Sequence, residues 1–229
     1  EKNLQTGYPS FERFNDSERR FFDYFKFVSG KKILDFGCGN GDFLQLIKSD
    51  CKIVTGVEIE EKCLNELKTK NINCFENLSK VSNNYFDTLV SFHTIEHLPD
   101  PIETLSEMNK KLVKNGTIII EVPHANDFLL NNLKNEEFKQ FTLWSQHLLL
   151  HTRESLKRIL KYVGFKNIII SGIQRYPLSN HINWLNNGKP GGHKTPISVI
   201  DTKELNKAYS NSLAKIDATD TLVAIANSD

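Results

Sequence analysis

The sequence lacks any apolar run approaching the roughly 20 residues that a membrane-spanning helix needs. It also shows no charged segment followed by an apolar stretch at its start, the pattern of a secretory leader. Neither sign of charge dominates, because 29 Lys and Arg are balanced by 28 Asp and Glu, giving a formal net charge of +1. We therefore expect a cytoplasmic protein with no membrane partner and no nucleic-acid partner, since proteins that bind a polyanion usually carry a stronger basic bias.

Cysteine is sparse, and no two of the four cysteines form the C-x-x-C pair of a zinc ribbon or a redox motif. We expect the four to be reduced and packed; they are Cys38, Cys51, Cys63 and Cys74. Cys38 lies inside a glycine-rich turn, where a small side chain that fills the turn is a simpler interpretation than a nucleophile.

The sequence does contain short apolar runs that alternate with amphipathic segments. Strands are predicted at 32–36, 52–57, 72–75, 85–91, 117–122, 165–171 and 221–226, and helices at 42–48, 61–70, 101–112, 153–163 and 203–215. Continuous apolar strands separated by helices are typical of an α/β protein with a doubly wound, mostly parallel sheet. The length fits a single domain over residues 1–229.

Two details concern the ends of these elements. Asn15 or Asp16 is predicted to cap a first helix, which ends at Gly30. The predicted apolar face of that helix consists of Phe21, Phe22, Phe25 and Val28.

The stretches 123–150 and 174–202 show no regular pattern and are predicted as insertions over the carboxyl edge of the sheet, on the acceptor side, where open α/β proteins bind ligands.

The most informative segment is the glycine loop after the first predicted strand. Asp35 is followed by Gly37, Gly39 and Gly41, and Glu58 comes directly after the second strand. Glycines allow close approach of the backbone to a ligand, and a carboxylate after the second strand can accept hydrogen bonds from both hydroxyls of a ribose. Together they indicate an adenosine-type ligand, but the dinucleotide pattern G-x-G-x-x-G fails, because Asp42 occupies the position of its last glycine.

The loop D-x-G-x-G-x-G resembles the signature of class I S-adenosylmethionine (SAM)-dependent methyltransferases, and the resemblance continues in order through Glu58, 86–101 and 115–118. It implies a Rossmann-like sheet of seven strands, in which 221–226 is an antiparallel strand inserted near one edge. It also implies SAM as the cofactor. Its implied contacts are the glycine loop on the amino-acid part, Glu58 on the ribose, Ile59, Asn77 and Leu78 around the adenine, and Phe92 and His93 at the methionine end.

Histidines are the candidate bases for methyl transfer to a hydroxyl, because the acceptor must lose a proton near neutral pH. The segment 147–156 resembles the H-L-x-x-F-T-x-x-S-L segment of a small-molecule branch of the family, so we rank His147 first and His93 second. His97 is interpreted as a structural histidine. The pairs His93/His97 and His147/His151 have the spacing of helical metal ligands but precede their helices, and we assign no metal site from the sequence.

We expect the acceptor to be a small molecule. Because of the resemblance over 144–229, our first hypothesis for it is a sugar or nucleotide-linked sugar. Carbohydrate modification by O-methylation is the leading hypothesis. Two alternatives stay open: C-methylation of a sugar or a quinone-like ring, and a partner subunit that binds SAM without transferring a methyl group. The late stretch offers His181, Asn183 and Trp184 either as sugar-binding groups or as packed residues. The oligomeric state is not legible from the sequence.

Overall fold

The computed structural model describes residues 10–144 and 146–229. Its chain divides into two compact units. The first holds the described residues up to Val90 together with Lys110–Thr117, and the second holds Ser91–Asn109 and Ile118–Asp229. The interpretation of 1–229 as one methyltransferase domain stays a prediction.

The strands form a seven-stranded sheet in the order β3-β2-β1-β4-β5-β7-β6. Their bounds are Lys32–Phe36 for β1, Ile53–Val57 for β2, Asn73–Phe75 for β3, Phe86–Phe92 for β4, Leu112–Pro123 for β5, Lys166–Ile173 for β6 and Thr221–Asn227 for β7. Strand β1 pairs in parallel with β2 and β4, and β2 with β3, whereas β6 and β7 are antiparallel. The predicted α/β fold, with its inserted antiparallel last strand, is confirmed.

Eight α-helices are described. Their bounds are Ser10–Val28 for α1, Asp42–Ile47 for α2, Glu61–Thr69 for α3, Pro101–Lys111 for α4, Glu136–Thr142 for α5, Arg153–Tyr162 for α6, Leu178–Asn187 for α7 and Lys203–Lys215 for α8. Short 3-10 turns lie at Leu78–Lys80, Ile95–His97, Gly192–Lys194 and Pro196–Ile200, and one π-helical turn lies at Phe128–Asn132. No helix among the described residues is long and apolar enough to cross a membrane.

Helix α1 departs from the sequence analysis. It begins at Ser10, so the predicted cap at Asn15 or Asp16 is wrong, and both residues lie within the helix. Its predicted apolar face is also partly wrong, because Phe22 is 75% exposed while Tyr24 is buried. Tyr24 and Val28 are one turn apart and share the buried face, whereas Phe22 projects about 160° around the axis from Tyr24.

The two stretches predicted without regular structure contain helices. The first, 123–150, holds the π-helical turn and α5, where the Asn135 side chain accepts a hydrogen bond from the Phe138 N–H and caps the helix. The second, 174–202, holds α7 and two 3-10 turns. These elements are short, and their polar sequences hide the periodicity that would have predicted them.

Strand β5 also begins earlier than predicted, at Leu112. The expected turn at residues 115 and 116 is present inside it, because Asn115 has a left-handed φ of 58°.

Two predicted helix starts are confirmed: the Asp100 carboxylate accepts the Glu103 N–H at 2.8 Å, and Thr152 forms a capping box with Ser155.

Candidate active site

The glycine loop after β1 turns through left-handed backbone positions, with φ of 51° at Gly39 and 72° at Gly41. A Cβ at Gly41 would collide with the Leu67 side chain, whereas a Cβ at Gly39 would meet nothing within 4 Å. Internal packing therefore requires the glycine at 41. The glycine at 39 leaves an open side from which a ligand can reach the backbone.

The loop is fastened to the end of β2. The backbone N–H groups of Gly37 and Cys38 both donate to the Val57 carbonyl, at 2.8 and 3.3 Å. Glu58 follows directly, and its Oε2 accepts the Gly39 N–H at 2.8 Å. Its Oε1 accepts the N–H groups of Ile59 and Glu60 at 2.7 and 2.9 Å. The half-buried carboxylate is therefore held beside the loop, in the place where a ribose hydroxyl donor can reach it.

Asp35, at the end of β1, is a buried acid beside this loop. It is 3% exposed, and its Oδ1 has no hydrogen-bond partner among the described residues. Burial raises its pKa to about 7, against the lowering effect of the Arg20 guanidinium, and the Glu58 carboxylate adds a smaller increase. An unpartnered buried acceptor needs a donor, and a cationic amino group of a ligand would supply one.

The residues predicted around the adenine differ in exposure. Ile59 is 84% exposed, so its apolar side chain is available to a planar ring. Asn77 is exposed and bonds the Ser79 hydroxyl, whereas Leu78 is 8% exposed and offers little of its side chain to a ligand. The contacts of these residues with adenine stay a prediction.

Cys38 is placed for packing. A hydrogen bond with the Cys74 thiol, followed by burial, raises the pKa of the Cys38 thiol, and this keeps it protonated and weakly nucleophilic. Gly56 of β2 allows this arrangement, because a Cβ there would overlap the Cys38 sulfur.

In the second unit, His93 follows β4 with a left-handed φ of 51°. An Arg175 nitrogen lies 2.8 Å from His93 Nε2, and His93 Nδ1 lies 3.4 Å from the Glu96 carboxylate. Because arginine only donates, Nε2 of the neutral ring accepts and Nδ1–H faces Glu96. The lone pair of His93 is therefore engaged by Arg175, which does not suit a base.

Glu96 is fully buried, and neither of its carboxylate oxygens meets the geometry of a hydrogen bond with a described residue. Burial alone would raise its pKa, but the His93 side chain and, more weakly, the His97 side chain hold the pKa below its usual value. The Glu96 carbonyl accepts the N–H groups of Leu148 and Leu149 at 2.8 and 3.3 Å. These two bonds fix the segment after His147 to the 3-10 turn that carries Glu96.

His147 and His97 face each other, with ring centroids 5.0 Å apart. His147 Nδ1 lies 2.7 Å from the Thr142 carbonyl, and His97 Nδ1 lies 2.6 Å from the Gln146 carbonyl. A carbonyl only accepts, so each ring donates from Nδ1, and in this tautomer the lone pair is on Nε2. Burial lowers the pKa of His147, so this ring is neutral near pH 7.

The other described histidines are mostly held by the scaffold. His124 and His151 form an isolated parallel bridge and are almost fully buried. His181 stacks on Phe128, and its Nδ1 lies 2.6 Å from the Tyr209 hydroxyl. Burial lowers the pKa of His181 to about 4.

Trp184 is packed. It is 3% exposed and contacts the rings of Phe138 and Phe141 at centroid distances of 5.2 and 5.1 Å. The Asn183 side chain donates to the Lys189 carbonyl at 2.7 Å. Trp184 and Asn183 therefore fit the interpretation as packed residues better than the interpretation as sugar-binding groups.

A small open crevice in the second unit is lined mostly by polar residues: Gln174, Arg175, Tyr176, Pro177, Asn206 and Tyr209. The half-buried Asp220 supports its wall, because its Oδ2 accepts the N–H groups of Arg175 and Tyr176 at 2.9 and 3.0 Å. Sequence reasoning missed Arg175 and Asp220, since a single arginine and a single acid carry no motif.

The fold and the glycine loop define a class I SAM-dependent methyltransferase. Residues 11–169 match the family model described as a methyltransferase domain, and the chain belongs to that family. The residues around the loop fit the cofactor, which is SAM: Gly39 is open, Asp35 has an unpartnered oxygen and Glu58 stands after β2.

The crystal structure of a SAM-dependent methyltransferase from Archaeoglobus fulgidus is similar, with a TM-score of 0.65, 23% identity and coverage of 93% of this chain and 94% of that chain. A ubiquinone biosynthesis O-methyltransferase of Coxiella burnetii is 25% identical over 68% of this chain and 72% of its own length. A tRNA U34 carboxymethyltransferase of Haemophilus influenzae is 27% identical over 41% of this chain, which spans 33% of that protein.

Proposed function

We propose that the protein transfers the methyl group of SAM to a hydroxyl of a small polar acceptor, with a sugar or nucleotide-linked sugar as the acceptor class. The observation on which this depends is the state of His147. Its ring is neutral, half-buried and oriented by the Thr142 carbonyl, with its lone pair on Nε2. A neutral imidazole of fixed tautomer is suited to accept a hydroxyl proton.

When bound, SAM supplies an electrophilic methyl on a sulfonium. This chain's residues contribute binding and orientation. We propose that Glu58 holds the ribose and that the glycine loop, together with Asp35, holds the amino-acid end. Phe92 and His93 are proposed to line the methionine end, with Arg175 and Glu96 fixing the orientation of the His93 ring.

The polar crevice supports a hydroxylated acceptor over an apolar one. Its lining offers amide, guanidinium and phenol groups, which form hydrogen bonds with sugar hydroxyls. The Arg175 guanidinium would also pair with a phosphate of a nucleotide-linked acceptor. The name of the Coxiella relative makes a ring hydroxyl the first competing acceptor, and that of the Haemophilus relative adds tRNA.

The test is an assay with labelled SAM against four acceptor sets: free sugars, nucleotide-linked sugars, catechol-type rings and tRNA. Methylation of a sugar oxygen, located by NMR of the product, supports the proposal. Transfer only to a ring or to tRNA would replace the acceptor class, and a new C–methyl bond would establish C-methylation instead. SAM binding without transfer to any set would favour the partner-subunit alternative.

A further inference from the structure

We propose that Glu96, His97 and His147 form a binding site for one divalent transition-metal ion of the zinc type. One ligand atom from each residue lies within 4.8 Å of the others. In the sequence, the pairs with ligand spacing are His93/His97 and His147/His151, and no metal is assigned to them. The structure brings together a different set.

The ligand atoms of the three residues lie close together, and the one donor placed near them is the His93 Nδ1–H, at a long 3.4 Å from Glu96. The lone pairs of His97 and His147 are on Nε2, because each Nδ1–H is used by a backbone carbonyl. His97 Nε2 lies 4.0 Å from the Glu96 carboxylate. That carboxylate is fully buried, and neither oxygen makes a hydrogen bond within the part of the chain that the structure describes. A cation is the group that satisfies three converging lone-pair donors at once.

Neighbouring backbone groups support the proposed ligands. Histidines that bind metals usually donate their other N–H to a carbonyl or carboxylate, which fixes the tautomer and the direction of the ring. Both His97 and His147 do so here. The hydrogen bonds from Leu148 and Leu149 to the Glu96 carbonyl hold the two ligand-bearing segments together.

The set of ligands selects the kind of ion. Two imidazoles and one carboxylate suit zinc and its neighbours, whereas magnesium and calcium prefer oxygen ligands. Ligand atoms around a tetrahedral ion lie about 3.4 Å apart, so binding requires the three side chains to close by about 1 Å. Three protein ligands leave a fourth position open, and the His97 side chain, 35% exposed, gives access to it.

The metal site rests on the proposed function and changes one role in it, because it contains the candidate base. With the ion bound, the His147 lone pair is used as a ligand, and a hydroxyl at the open position becomes more acidic. Replacing His147 would then abolish turnover under either role, so activity cannot distinguish them and metal binding must be measured directly.

The experiment titrates the metal-free protein with Zn²⁺ by calorimetry and with Co²⁺ by visible absorption. We expect one equivalent to bind, no displacement by excess Mg²⁺, and a Zn²⁺-dependent rise in melting temperature. Glu96→Gln, His97→Asn and His147→Asn should each weaken binding at least tenfold, whereas the control His193→Asn, a half-exposed histidine of another segment, should bind as the parent does.

Absence of saturable binding by the folded parent protein would overturn the inference, as would unchanged binding in His147→Asn and His97→Asn. Circular dichroism verifies that each variant is folded; if the buried Glu96→Gln does not fold, the two histidine variants decide. Methyl transfer by a protein that binds no ion would support the proposed function and contradict the metal site. Ion binding without methyl transfer to any acceptor would support the metal site and contradict the proposed function.

Discussion

The Glu58 carboxylate accepts the backbone N–H of Gly39 at 2.8 Å and thereby joins the end of β2 to the loop after β1. Both residues belong to the first unit. The contact depends on the left-handed turn at Gly39, which presents its N–H to the acid.

Alanine at the two loop glycines should have different effects. Gly41→Ala introduces a Cβ against Leu67 at a φ of 72°, and we expect a loss of about 2–3 kcal/mol of stability. Gly39→Ala meets no atom within 4 Å, so we expect about 1 kcal/mol from backbone strain, with SAM affinity reduced more than stability. Denaturant melts and SAM titrations of both variants measure this, and equal effects on stability would contradict the packing role of Gly41.

Because of the buried Asp35, we expect the stability of the protein to depend on pH. Burial raises the pKa of Asp35 to about 7 in the folded protein, from an ordinary value of 3.8. Its stabilising contribution is therefore complete below pH 4 and is lost as the pH rises through 7. The stability of Asp35→Asn relative to the parent protein should rise by up to about 4 kcal/mol over that interval. Urea melts of both cofactor-free proteins at several pH values test this, and a constant difference would contradict it.

The fold could be predicted from the sequence because its strands are buried, continuous apolar runs such as 32–36 and 221–226. Helix α5 and the turn at 128–132 could not, because short segments held by single capping side chains leave no periodicity. The same limit applies to the candidate site. The glycine loop and Glu58 form an ordered motif, whereas the grouping of Glu96, His97 and His147 depends on backbone hydrogen bonds between segments about 50 residues apart.

His147→Ala should retain SAM affinity and lose turnover by about 10²–10⁴-fold, because the group that accepts or helps to remove the hydroxyl proton is gone. The measurement is kcat against the best acceptor, with the dissociation constant of SAM as an internal control. Unchanged kcat would remove His147 from the mechanism.

Trp184 distinguishes packing from sugar recognition. Because the ring is buried against Phe138 and Phe141, Trp184→Ala should cost about 3–5 kcal/mol of stability. Trp184→Phe should recover most of the stability and keep the KM for the acceptor. A KM raised tenfold or more in the stable Trp184→Phe protein would instead favour a binding role for the indole.

The central claim is that Glu58 and the loop beside it bind SAM. Calorimetric titration of SAM into the parent protein, Glu58→Ala and the exposed control Glu61→Ala tests it most directly. We predict saturable binding by the parent protein and the control, and affinity at least about tenfold weaker in Glu58→Ala, because charge-assisted hydrogen bonds to the ribose are lost. Equal affinity in Glu58→Ala, or no binding by the parent protein, would contradict the account.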